Sequence, residues 1–455
     1  MNKLRLMVYS HDTFGLGNLR RMLSICDYLL SCWPQLSILL VSGSPMLQGF
    51  RLPKGLDYIK LPCLNRGVSG ELCAKYLGTS FEDTIALRSQ LIHAATSHFR
   101  PDLFIVDKKP MGLGKELLPT LNYLKRRLPN SRNILLLRDI LDRPENTIRE
   151  WQKWQYNLTI KTHYDQILVM GMQSVFDLAQ EYHFPLPTAR KLRYCGYIRK
   201  QPIEQQVTEQ HSSQLRKSLN LGVHDRLALV TPGGGEDGFH LVDTYLRGLS
   251  HLALSELATS PPSFPLTSPP RAPSGASSGS QPATSLLNPT QPNDTEPPPK
   301  LHSLVLCGPE MPSTHQKVLQ QIAKLTPRVT LQNFTDDLLA HVRAADVVVS
   351  MGGYNTLTEV LTVDKPAVVV PRVAPSQEQL IRANRFAQRS LLTTLHPNEI
   401  TPRSLIENVL KACTTQHRSP EVSNRLDFNG LPNLANALLE LVNQSPARSP
   451  LSMLA

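Results

Sequence analysis

The chain alternates short apolar runs with amphipathic stretches, and it does so twice. Apolar runs at Leu4–Tyr9, Leu36–Val41, Asp57–Leu61, Leu103–Val106, Asn133–Leu137 and Gln166–Met170 have the length and aliphatic content of strands buried on both faces. Helical periodicity fills the gaps between them, at Asn18–Leu30, Phe81–His98, Lys115–Leu128 and Ser174–Tyr182. Strands separated by helices pair in parallel, because each crossover carries the chain back to its starting edge. The pattern closes with the short strand Leu192–Cys195, passes through the polar stretch 197–210 and then restarts. Strands are expected at Arg226–Val230, Leu301–Leu306, Val329–Gln332, Asp346–Ser350 and Ala367–Val370. Helices are expected at Phe239–Leu254, Thr314–Leu325, Asp336–Ala344, Tyr354–Leu361 and Gln377–Gln388. Two Rossmann-like α/β domains follow, residues 1–196 and 211–455, joined by a linker at 197–210.

Two compact domains leave some of the 455 residues over, and proline shows where the surplus lies. The chain has 37 prolines and 12 of them fall within 259–300. That block carries four charged residues that cancel and few large apolar ones, so it cannot bury enough surface to offset its ordering entropy. A disordered Pro/Ser-rich insertion in the second domain is the expectation. Its functional alternative is a proline-rich ligand for a recognition domain.

Charge is split as unevenly as proline. Residues 1–200 hold 28 Lys and Arg against 16 Asp and Glu, a net +12, whereas residues 201–455 hold 20 against 21. The first half therefore suits an anionic partner: a phosphorylated substrate or an acidic membrane surface. Nucleic acid is disfavoured, since no binding motif accompanies the charge. Seven scattered cysteines without a CxxC pair argue against a disulfide framework and against a zinc site. With neither a signal peptide nor an apolar run of spanning length in view, a cytoplasmic protein is expected, with peripheral contact at the inner face of the membrane.

Four segments that carry chemistry fall where a strand ends, at the edge where open parallel sheets bind ligands. The first is SHDTFGLGNLRR, where Gly15 and Gly17 permit a tight turn, Asn18 opens a helix, and Arg20 and Arg21 put positive charge in its first turn. The second, TPGGGEDG, exposes backbone amides at Gly233, Gly234 and Gly235, tempered by Glu236 and Asp237. The third, SMGGYNTLTEV, places Gly352 and Gly353 before a helix in which Glu359 lies one turn beyond Asn355 on the same face. A carboxylate beside an amide-rich turn suits hydroxyl recognition, as for ribose in dinucleotide folds. In the fourth, VVVPRVAPSQEQLIRANR, Arg372 stands at the sheet edge and Glu378, Gln379 and Arg382 open the next helix.

MGGYNTLTE, KPAVVVPR and EQLIRA together resemble the donor-binding half of GT-B glycosyltransferases, in particular the group of the lipid-linked N-acetylglucosaminyltransferase of peptidoglycan synthesis. With YSHDTFGLG, TPGGGEDG, CGPEMP and DFNGLPN, the resemblance narrows to a family of bacterial glycosyltransferases and covers nearly all of the chain outside 259–300. The resemblance implies two Rossmann-like domains facing a cleft, with the acceptor on the first and a nucleotide-sugar on the second. It implies Glu359 on the ribose hydroxyls, Gly233, Gly234, Gly235, Gly352 and Gly353 close to the diphosphate, Asn355 and Thr356 near the phosphates, and Glu378 and Gln379 near the sugar hydroxyls. It also implies an inverting transfer with neither a cofactor nor a metal, because helix N-termini and cations stabilise the departing nucleotide diphosphate. Relatives carry histidine where this chain has Asn18, and an amide cannot take a proton from a hydroxyl. The candidate bases are then His11, Asp12 and Asp107. The alternatives are a nucleotide-sugar-binding protein that has lost transfer, and a nucleotide-sugar epimerase.

Overall fold

The computed structural model describes residues 4–10, 16–66, 71–199, 202–259, 300–414 and 426–444. The expected insertion falls almost wholly outside them, as do His11, Asp12 and Gly15. The first domain contains β1 (Arg5–Ser10), β2 (Ser37–Ser42), β3 (Leu56–Lys60), a hairpin of β4 (Leu64–Arg66) and β5 (Leu72–Ala74), β6 (Leu103–Asp107), β7 (Arg132–Arg138), β8 (Gln166–Met170) and β9 (Leu192–Tyr194). Apart from the hairpin these form one parallel sheet in the order β3-β2-β1-β6-β7-β8-β9. The second domain adds β10 (Arg226–Thr231), β11 (Leu301–Leu306), β12 (Val329–Gln332), β13 (Val347–Ser350), β14 (Ala367–Val369) and β15 (Thr393–Thr394), in the order β12-β11-β10-β13-β14-β15. Both orders reverse once, between β1 and β6 and between β10 and β13, and each reversal opens a crevice at the carboxyl ends of the strands. The two Rossmann-like halves and their parallel sheets are as expected.

The apolar strands are legible because side chains on both faces are buried: Leu6, Met7, Val8 and Tyr9 of β1, and Val347, Val348 and Val349 of β13, have no exposed surface. The polar stretch expected to be a linker behaves differently. Residues Pro202–Ser218 are a helix, and it packs on the helix Leu338–Ala344. Arg216 fixes its end by donating to the Ala344 carbonyl at 2.7 Å and to Asp346 at 3.1 Å. Only a few residues after 196 remain to connect the domains. The expected helix at Ser174–Tyr182 shrinks to Leu178–Glu181, started by Asp177, whose carboxylate accepts from the Ala179 and Gln180 amides.

The final helix, Gly430–Asn443, does not stay with the second domain, although the sequence pattern places it within 211–455. It leans back on the first: Arg193 grips Glu440 at 2.5 and 3.0 Å, and the helix also contacts Leu16–Cys32. The DFNGLPN motif makes this return possible. Asn433 donates to the Cys195 carbonyl at 2.8 Å, and the Tyr197 amide donates to the Asp427 carbonyl at 2.7 Å. Its residues therefore tie the hinge and do not enter the cleft. Among the described residues no helix is long and apolar enough to cross a membrane.

Candidate active site

A cleft of about 1710 Å³ runs between the carboxyl edges of the two sheets. Gly17, Asn18, Arg20 and Arg21 line it from the first domain, and Gly233, Gly234, Gly235, Gly353, Asn355, Thr356, Glu359, Arg372, Glu378 and Gln379 from the second. Motifs far apart in the sequence are thus gathered on one cavity, and Asn355 donates to the carbonyl of Gly17, 338 positions away, at 2.9 Å across it.

Each expected residue has its own local reason for being there. β13 ends at Ser350, and Gly352 turns the chain with a φ of +80° while lying against Val369, a conformation and a contact that a side chain would disturb. The helix Tyr354–Thr362 follows at once, and no side chain caps its start, so its first amides face the cleft unclaimed by a cap. Glu359 lies one turn in, on the cleft side with Asn355 and Thr356. The glycines of 233–235 also serve packing, since a Cβ on Gly235, whose φ is +93°, would meet the Cys307 carbonyl at 2.3 Å. The TPGGG and CGP turns therefore interlock backbone against backbone, and Glu236, Asp237 and Glu310 crowd the same rim. Burial and the neighbouring Glu236 charge push the Glu310 carboxyl up, with Lys75 opposing and Asp237 adding to the rise.

Arg21 and Asp107 turn to each other. The pair is buried, with Arg21 Nη2 2.8 Å from Asp107 Oδ1, and it joins the first helix to the end of β6. Asp107 does not line the cleft. Arg20 reaches over the cleft instead, its guanidinium 5.2 Å from the centre of the Phe334 ring.

Glu378 is likewise held by cations. Arg138 approaches it at 3.1 and 2.9 Å and Arg372 at 3.9 Å. Burial by itself raises the pKa of such a carboxyl, but Arg138, Arg382, Lys108 and Arg372 overcome it and hold it at about 2. Four residues further along the helix Glu378–Ala387, Arg382 is fully buried, makes two 2.8 Å bonds to Asp139 and donates to the Gly352 carbonyl at 3.2 Å. These two pairs clamp the end of β7 to the second domain.

The segment Lys108–Lys115 (KKPMGLGK) also lines the cleft and is not among the segments expected from the sequence. Lys108, Gly112, Gly114 and Lys115 all have positive φ, 62°, 69°, 52° and 67°. Such a backbone is costly for lysine and needs support from below. Tyr9 supplies it, accepting from the Leu113 amide at 3.3 Å and donating to Glu116 at 2.5 Å, while Arg88 holds Glu116 at 2.6 and 2.8 Å. The signal that could have found it is a second GLG triplet shortly after a strand. Arg138, Trp154 and Tyr156 of the cleft wall carry no such motif.

Residues 277–438 match the glycosyltransferase family 28 C-terminal domain. In overall shape the chain is similar to the glycotransferase of kitacinnamycin (TM-score 0.58, 14% identity, 97% of this chain and 100% of that one). It is also similar to MurG of Acinetobacter baumannii (TM-score 0.54, 11% identity, 96% and 100%). The chain is a GT-B protein related to the family 28 glycosyltransferases. A UDP-N-acetylglucosamine–N-acetylmuramyl-(pentapeptide) pyrophosphoryl-undecaprenol N-acetylglucosamine transferase of Clostridium kluyveri is 24% identical over 126 residues, 27% of this GT-B chain and 35% of the relative. The similarity in sequence thus spans about a third of that relative's length, whereas the similarity in fold covers both domains.

Proposed function

We propose that this GT-B protein transfers a sugar from a nucleotide diphosphate to an acceptor hydroxyl in the interdomain cleft. The observation that carries the reading is the Gly352–Gly353 turn with its uncapped helix start and Glu359 one turn beyond. The free amides and the positive end of that helix suit a diphosphate, and Glu359 suits the ribose hydroxyls. Arg372, Glu378 and Gln379 close the sugar end of the same wall, and Gly233 and Gly234 border it. The name of the Clostridium kluyveri relative supports a UDP-sugar as donor and a lipid-linked pyrophosphate as acceptor.

The opposite wall fits an anionic acceptor. Gly17, Asn18 and Arg20 with Lys109 and Lys115 present amides and cations, and Tyr76 and Leu77 are exposed beside the β4–β5 hairpin, which suits peripheral contact with an anionic membrane. An inverting displacement needs a base on this side. Asp107 is committed to Arg21, so His11 and Asp12, between β1 and the first helix in the sequence, are the proposed bases. Leaving-group charge is met by the helix start and by Arg372, without a metal. The family match favours transfer over epimerisation and over binding alone.

Calorimetric titration with UDP-, dTDP- and GDP-sugars tests the reading, with turnover then followed on a polyprenyl phosphate acceptor in the presence of EDTA. Binding of one nucleotide class and an EDTA-resistant, inverted product are expected. A folded protein that binds none of them would refute it.

A further inference from the structure

We infer that the cleft contains a subsite for one carboxylate on the transferred sugar, formed by Lys108, Arg138 and Arg372 where the two domains meet. The inference rests on the nucleotide-sugar reading above and deepens it by naming the donor class: a nucleotide-diphosphate hexuronate.

Charge pairing is the first ground. Lys109 is paired with Glu150, Arg138 with Glu378, Arg372 with Asp237, and Arg382 with Asp139. Lys108 is left over: among the described residues its ammonium has no ion pair or hydrogen bond, although it stands in the cleft wall with Arg138, Arg372 and Glu378. The strained backbone of Lys108 holds it there at a φ of 62°. The junction is short of one negative charge.

The second ground is the kind of group on offer. Arg138 lies 3.1 and 2.9 Å from the two Glu378 oxygens, and the Gln379 side-chain oxygen Oε1 accepts from the Arg372 backbone amide at 3.2 Å. What remains to a ligand is the Lys108 ammonium, the outward N–H groups of two arginines and the Gln379 amide N–H groups, which are all donors. A hydroxyl both donates and accepts, so a neutral hexose is matched only in part. A carboxylate only accepts, and a charge-assisted fork suits it. Burial lowers Lys108 to about 8, helped by Arg138 and Lys109 and opposed by Glu378 and Glu150, and these are the groups that face it. The ammonium is thus charged at neutral pH and lost a little above it, and a bound carboxylate holds the proton on.

The test is calorimetry of the full chain with UDP, UDP-glucose and UDP-glucuronate at pH 7 and 9, on the wild type and on Lys108→Gln, with thermal melts confirming that both are folded. The wild type is expected to prefer UDP-glucuronate over UDP-glucose by about 10-fold or more at pH 7, with the preference shrinking at pH 9. Lys108→Gln should abolish the preference and leave UDP affinity in place. Equal affinity of the wild type for the two sugars, with UDP bound, would overturn the inference and leave the transferase reading standing; failure to bind UDP would count against both. A variant that keeps the preference but loses farnesyl phosphate binding would assign the missing anion to the acceptor and overturn the inference.

Discussion

The two walls of the cleft differ more than the two halves of the chain. The first-domain wall carries Arg20, Arg21, Arg51, Lys108, Lys109, Lys115 and Arg138 against Glu150, whereas the second-domain wall carries Glu236, Asp237, Glu310, Asp336, Glu359 and Glu378 against Arg372. The near-neutral second half therefore turns an acidic face to the cleft. Cations suit anionic groups and carboxylates suit hydroxyls, so under the proposed reading Glu359 of the acidic wall would take ribose hydroxyls, while the diphosphate would meet the backbone amides of the helix start together with Arg372. Where the walls touch, opposite charges meet in Arg138–Glu378 and Asp139–Arg382. The contrast holds the domains together, and in the proposed reading it also sorts the substrates.

Breaking the contact should have the largest effect. Arg382→Met leaves Asp139 charged and buried without its partner, which costs about 3–5 kcal/mol, and it also frees the Gly352 carbonyl. A denaturant titration should show that loss, with much of it recovered in the Arg382→Met/Asp139→Leu double variant. Next comes the donor wall. Glu359→Gln should weaken nucleotide binding about 10–100-fold, as expected for losing hydrogen bonds to a charged group, while leaving acceptor binding alone. Equal losses of both ligands would erase the distinction between the walls.

The acceptor wall should give a smaller, opposite result. Lys115→Ala removes a cation that lies over Trp154, so polyprenyl phosphate binding should fall by a few-fold, corresponding to about 1 kcal/mol or less, and nucleotide binding should not change. The last effect concerns pH. Glu378 is held at about 2, against an ordinary value of 4.5. Between those values the unfolded chain binds the extra proton, so this carboxylate stabilises the fold above pH 4.5 and its contribution is lost as pH falls toward 2. Thermal melts from pH 5 to 3 should decline less steeply in Glu378→Gln than in the wild type.

Most of the fold can be read from the sequence because parallel strands buried on both faces write unbroken apolar runs, as β1 and β13 do. The helix Pro202–Ser218 cannot, since its polar residues make it resemble a linker. The final helix is visible neither as an element nor in its destination, because what places it on the first domain is the packing of Leu431, Leu434 and Leu438 in one buried cluster with Leu19, Met22 and Ile25, far upstream in the chain. The second-domain cleft motifs are legible for a local reason: glycine turns directly after strands. Asp107 is legible in position but not in role, because its partner Arg21 lies 86 residues upstream. Lys108 and Arg138 gain their importance only from the meeting of two domains.

That the nucleotide-sugar lies on the second-domain wall is tested most directly by hydrogen–deuterium exchange with and without a saturating nucleotide-sugar. Slowed exchange is predicted at Gly352–Glu359 and at Arg372–Gln379, with Gly17–Arg21 and Gly112–Lys115 little changed; slowing confined to the first-domain segments would contradict that placement.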